Sequence, residues 1–143
     1  MIDEGLEIVS AFTCEDAEIK SSNAEMDVRG IFFQTAGVTF PIQISELKIA
    51  GFIQVPPHWQ GHYFEIAIVL FNSDNQEIVR FKNRIGVESV GNTSTPIIPF
   101  VAPVEGLVVA EPETIRIEIY LENTLKAQFP FEIVQMPNYT GEA

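Results

Sequence analysis

The chain is short of cysteine, of basic residues and of long apolar runs, and each shortage excludes something. Cys14 is the only cysteine among 143 residues, so no intrachain disulfide can form and the core must hold the fold. Eight Lys and Arg stand against twenty Asp and Glu, a net charge of −12. Nucleic-acid binding needs a basic footprint that neutralises phosphates, and this field repels DNA, RNA and anionic lipid. No nucleic-acid or membrane partner is therefore expected. The uncharged apolar run Ile66 to Phe71 falls far short of the roughly 20 residues that span a bilayer. The start "MIDEG" carries neither the basic nor the apolar region of a signal peptide, so a soluble protein of the cytoplasm is expected. Helical periodicity over three turns is missing, as are G-x-S-x-G, H-E-x-x-H and a Gly-rich phosphate loop.

What is present is alternation. Hydrophobic residues at 46% and charged residues at 20% describe a globular chain, and its length suits one domain. Eleven Phe with many Ile and Val favour strands. "GLEIVSAFTC" sets Leu6, Ile8, Ser10 and Phe12 against Glu7, Val9, Ala11 and Thr13. "SSN" reads as a turn, "AEMDVRGIFFQTAGV" as a second strand, and "ELKIAGFIQV" as a third that "PPHWQG" closes. In "GHYFEIAIVLFNSDNQEIVRFKNR" a two-residue turn at Asp74-Asn75 makes paired residue numbers sum to 149. That register places Leu70 opposite Val79, Ile68 opposite Phe81, Phe64 opposite Ile85 and Glu65 opposite Arg84. Apolar pairs then share one face and an ion pair the other, which is why a hairpin is expected. "SVGNTSTP" reads as a loop, and "IIPFVAPVEGLVV", broken by prolines, as an irregular or edge segment. "ETIRIEIYLE" turns Ile115, Ile117, Ile119 and Leu121 inward, and "NT" leads into "LKAQFPFEIV". There Leu125, Ala127, Phe129, Phe131 and Ile133 share a face, while Pro130 marks an edge.

Seven or eight such strands predict an all-β, antiparallel immunoglobulin-like sandwich over residues 1–137, with 138–143 a frayed tail. A closed barrel is the alternative. The stretches "CEDAEI…VRGIFFQTAGVTFP", "GHYFEIAIVLFNSDNQEIVRF" and "PETIRIEIYLENTLKAQFPFEIV" carry a resemblance. From Val9 to Val134 the chain resembles small immunoglobulin-like sandwich proteins of bacteria and phages that form a family of unknown function. The shared features are a Cys-acidic pair closing the first strand, Gly-Ile-Phe in the second, and a final Tyr/Ile-rich strand running into a hairpin. The resemblance implies a fold and transfers no catalytic or ligand residues.

Six groups of residues are candidates for chemistry or contact. Cys14 lies beside Glu15, Asp16 and Glu18, which disfavour a thiolate, so a buried apolar thiol is expected. "HWQGH" spaces His58 and His62 as zinc ligands on a helix, but two prolines before it and Gly61 within make a helix improbable. No metal is expected, nor any cofactor. The amino-terminal acids offer no calcium loop, and no carboxylate pair stands out for glycoside hydrolysis. Trp59 and Tyr63, with His58 and His62, form an alternative rim for a sugar or small molecule. Against that, Trp59 also suits a plug at one end of the sandwich. Arg80, Lys82 and Arg84 alternate as a basic stripe, either a solvated strand face or a dock for an acidic segment. Finally Ile97, Ile98, Phe100 and Val101 are either core or an exposed interface. The expectation is a non-catalytic domain acting on a protein partner or as a homo-oligomer. A small-molecule or carbohydrate module comes second, and a metal-assisted hydrolase third.

Overall fold

The computed structural model describes residues 5–20, 25–89 and 96–137. The expected turn at 21–23, most of the loop at 89–96 and the tail at 138–143 lie outside these. In chain order the strands are β1 (Glu7–Ile19), β2 (Met26–Ile31), β3 (Gln34–Gly37), β4 (Ile42–Ile44) and β5 (Lys48–Gln54). After a short 3-10 turn at Pro57–Trp59 come β6 (Tyr63–Phe71), β7 (Glu77–Gly86), β8 (Ile97–Pro103), β9 (Leu107–Val109), β10 (Glu113–Leu121) and β11 (Thr124–Gln135). The described residues thus form eleven strands, not the seven or eight expected. They form a four-stranded sheet in the order β2-β1-β5-β8, a five-stranded sheet β3-β11-β10-β6-β7, and a small pair β4-β9. Both larger sheets have open ends, which overturns the barrel alternative.

The extra strands come from places where the chain leaves one ladder for another. The expected second strand splits into β2, paired antiparallel to β1, and β3, paired parallel to β11. Gly30 sits at φ +66 just before the break, a conformation that glycine adopts without a Cβ clash. Phe32 follows and turns its ring edge-on to Phe131, 5.4 Å away in the core. β4 and β9 close one margin, with Ile44, Leu107 and Val109 buried.

Between the larger sheets lies one apolar core. The five-stranded sheet supplies Phe64, Ile66, Ile68 and Leu70 from β6, the expected inward row of β10, and Phe131 and Ile133 from β11. Ile49, Ile53, Phe100 and Ala102 meet them from the opposite sheet. Each such branched or aromatic side chain contributes about 1.5–3 kcal/mol on leaving water.

Two bulges overturn expected faces. In β1 the register shifts between Ile8 and Ser10, so Val9 is the extra residue and is exposed. Ala11 then packs on the main core, while Phe12 turns to the other side of the sheet. In β11 the register shifts opposite Ile119 and Tyr120, which swings Leu125 out of its expected row to 44% exposure. The β10–β11 turn is Glu122-Asn123, both at positive φ, one residue earlier than expected. The β6–β7 hairpin keeps the expected register from Phe64↔Ile85 to Leu70↔Val79. Its turn is longer than two residues, and a bulge at Ile78, between the partners of Leu70 and Phe71, absorbs the difference.

Candidate functional site

β7 is the end strand of its sheet, and its exposed side chains include the basic stripe. Arg80 grips Glu77 through Nε and Nη2, at 3.0 and 2.6 Å. That fork holds the Glu77 carboxyl below its usual value and raises Arg80. Lys82 lies 3.3 Å from Glu65, and Arg84 stacks over the Tyr63 ring at 4.9 Å. Further along the same outer face, Arg116 bonds Glu118 at 2.8 Å and Asn75 at 2.6 Å and covers the Phe71 ring at 4.4 Å. Tyr120 donates to Glu118, and this bond, with burial, raises the phenol's pKa. Val69 and Ala67 are buried on this outer face of β6, so the long side chains shield apolar surface as well as pairing charge.

The segment 97–101 is divided between core and surface. Val55 N–H donates to Pro96 O and Val104 N–H to Leu47 O, at 2.9 and 3.0 Å. With Ile49 opposite Ala102, alternation turns the amides of Ile98, Phe100 and Ala102 toward β5. Phe100 is buried and Ile98 packs on the main core, while Ile97 is 41% exposed and Val101 half-buried on the outer side. Pro99 and Pro103 fall on the open edge of β8, where the missing N–H leaves no ladder bond unmade. The outer side of this sheet carries a second apolar cluster of Cys14, Ala17 and Ala50, with Phe12, Met26, Val28 and Val101 around it.

Cys14 lies in mid-strand, not at the strand end that the resemblance implied. Its Sγ lies 3.7 Å from the Lys48 carbonyl oxygen, and burial, then Asp16, push the thiol's pKa up. Alkylation of the native protein by iodoacetamide at neutral pH is expected to be roughly tenfold or more slower than in urea. Equal rates would show an accessible thiol.

The aromatic and histidine group is divided: His62 and Tyr63 share the wall of a hollow of about 280 Å³, while Trp59 leaves the surface. The 3-10 turn points Trp59 into the core at 1% exposure, edge-on to Phe64 at 6.0 Å. Tyr63 is exposed under Arg84, and His58 and His62 lie on the surface. The His62 N–H is held by Trp59 O at 2.9 Å. Among the described residues no three His, Cys, Asp or Glu side chains converge on a common point.

Sequence spacing gave no sign of a cleft of about 570 Å³ that includes Glu15, Phe32, Thr35, Ile42, Gln43 and Glu46 in its walls. A second hollow of about 320 Å³ shares Glu15 and Glu46 and adds Asp16, Arg29 and Lys48. Arg29 reaches Glu15 and Glu46 at 3.9 and 3.8 Å, and Lys48 bonds Asp16 at 2.6 Å. That bond lowers the Asp16 pKa, so the pair is complete above the usual carboxylate range and is lost as pH falls through the lowered value. These residues are scattered through the first half of the chain, and only the folded ladders bring them together.

Residues 9–134 match the model of a family of unknown function (DUF6941). The chain belongs to that family. The DUF6941 match covers both larger sheets and has the limits read from the sequence resemblance. None of the curated proteins matches this DUF6941 chain. Among its described residues no helix is long and apolar enough to cross a membrane.

Proposed function

We propose that the protein is a non-catalytic, immunoglobulin-like binding domain that works in the cytoplasm by contact with another protein. The strand order β3-β11-β10-β6-β7 facing β2-β1-β5-β8, with β3 parallel to the last strand, supports the immunoglobulin-like reading. Burial of Cys14 and its raised pKa disfavour the thiolate that a cysteine nucleophile needs.

One observation carries the contact reading. The two large sheets treat their edges differently: β8 is blunted by two prolines, whereas β7 runs in regular register from Val79 to Gly86 with no proline. A long regular edge is a template for another strand, which natural domains block with proline, bulges or charge; along β7 stand the charges of Arg80, Lys82 and Arg84 and no proline. Titration of the labelled protein with a neutral peptide alternating threonine and valine tests this use of the edge. The Arg80 and Lys82 amides are expected to gain protection from exchange. Unchanged exchange at both would remove β7 as the contact surface.

The apolar outer side of the four-stranded sheet favours a second reading, a homo-oligomer joined through Ile97 and Val101. On that reading, sedimentation shows an oligomer that Val101→Lys converts to monomer. A wild-type monomer would exclude it. Phe100 is unsuited to this test, because its ring belongs to the main core.

A further inference from the structure

We infer that β7 takes up, as an added antiparallel strand, an extended segment of another protein in which carboxylate and apolar side chains alternate. This rests on the contact reading above and specifies the partner's chemistry. The direction of each backbone group follows from two bonds. Val87 N–H donates to His62 O at 2.9 Å, and Glu122 N–H to Glu65 O at 3.0 Å. Even-numbered residues of β6 therefore face β7, and odd-numbered ones face β10. On β7, Val79, Phe81, Asn83 and Ile85 spend their amides on β6. The amides of Arg80, Lys82 and Arg84 point to the open side. Arg84's is held by the Oδ1 of Asn83 at 2.8 Å, a local cover that an arriving strand would displace.

Residues directly opposite in a ladder project to the same face, so the arriving side chains are set by those of β7. Arg80, Lys82 and Arg84 project to the outer face and call for carboxylates. Val79, Phe81 and Ile85 are half-buried at the rim of the core and call for apolar side chains between them. Arg80 pairs with Glu77 and Lys82 with Glu65, whereas Arg84, opposite Glu65 in the ladder, stacks on the Tyr63 ring instead. A second copy of this chain does not meet the requirement. Antiparallel pairing of two β7 edges about a two-fold axis keeps like faces together, setting Arg80 across from Arg84 and Lys82 across from itself when centred there. The net charge of −12 opposes an acidic segment at long range. Physiological salt screens beyond about 8 Å, which weakens that repulsion more than the short-range pairs at the edge.

Three blocked nine-residue peptides test the inference, alternating valine with glutamate, threonine or lysine. Binding is read by affinity and by exchange protection of the Arg80 and Lys82 amides. The glutamate peptide is expected to bind roughly tenfold or more tightly than the threonine one and to protect both amides. Arg80→Glu with Arg84→Glu should reverse the preference toward lysine. Lys82→Pro removes an N–H that makes no ladder bond, so circular dichroism should show a folded protein that has lost peptide binding. Equal binding of all three peptides would overturn the acidic partner and leave the edge contact standing. No amide protection by any of them would overturn both. Binding that survives in folded Lys82→Pro would show ionic contact without strand addition. Should that variant unfold, the wild-type peptide preference and amide protection decide alone.

Discussion

Trp59→Ala is expected to remove about 3–5 kcal/mol of stability, the range for deleting a buried aromatic. Domains are held by only about 5–15 kcal/mol, so much of this one's margin would go. The ring is 1% exposed, enters the core from the short turn after β5, and meets Phe64 edge-on. No other tryptophan is present to take over the position. Urea denaturation followed by circular dichroism gives the value. Trp59→Phe, which keeps an aromatic plug, should lose less. A Trp59→Ala protein as stable as the wild type would mean that the ring closes nothing and faces solvent, as a sugar platform requires.

Gly51→Ala should be about as damaging, at about 3 kcal/mol or more, because it overfills a site that cannot expand. Gly51 lies in β5 between Ala11 of β1 and Phe100 of β8. A Cβ there would collide with the carbonyl oxygen of Ser10 and stand 2.9 Å from two Phe100 ring atoms. The ring can be trimmed, but the carbonyl belongs to the backbone beside the β1 bulge. The double variant Gly51→Ala, Phe100→Leu should therefore recover little of the loss in a urea titration. Full recovery would put the whole clash in the ring, and a neutral Gly51→Ala would show that β1 and β5 leave room for a methyl group between them.

Alternation makes much of this fold legible in the sequence. The β6–β7 register is readable because both faces of the pairing make sense at once, apolar against apolar and Glu65 against Arg84. The Glu65 carboxylate nevertheless makes its ion pair with Lys82, diagonally across, and not with Arg84. The inward row of β10 was readable because four branched residues recur at strict period two. Prolines likewise point to β8 as an irregular or edge segment, whereas Pro130, read as an edge mark, lies in β11 between β3 and β10. Bulges were not readable: one extra residue at Val9 or opposite Ile119 exchanges the two faces, and no residue type in those stretches announces it. Nor was the split of the expected second strand, because "GIFFQ" is as apolar as a continuous strand would be. Of the candidate sites, the basic stripe was visible as a pattern. Its position on an open edge depended on sheet order, which sequence does not state. The cleft beside Glu15 and Glu46 depended on the same folded order, and Phe100 and Ile97 went to opposite faces because of their parity.

Amide hydrogen exchange along β7 in the isolated protein tests the open edge most directly. The amides of Arg80 and Lys82 should exchange at close to the rates of an unstructured peptide, while those of Val79, Phe81 and Ile85 are slowed by their bonds to β6. Uniform protection from Val79 to Ile85 would contradict this, since it would mean that the outer side of the strand is already occupied.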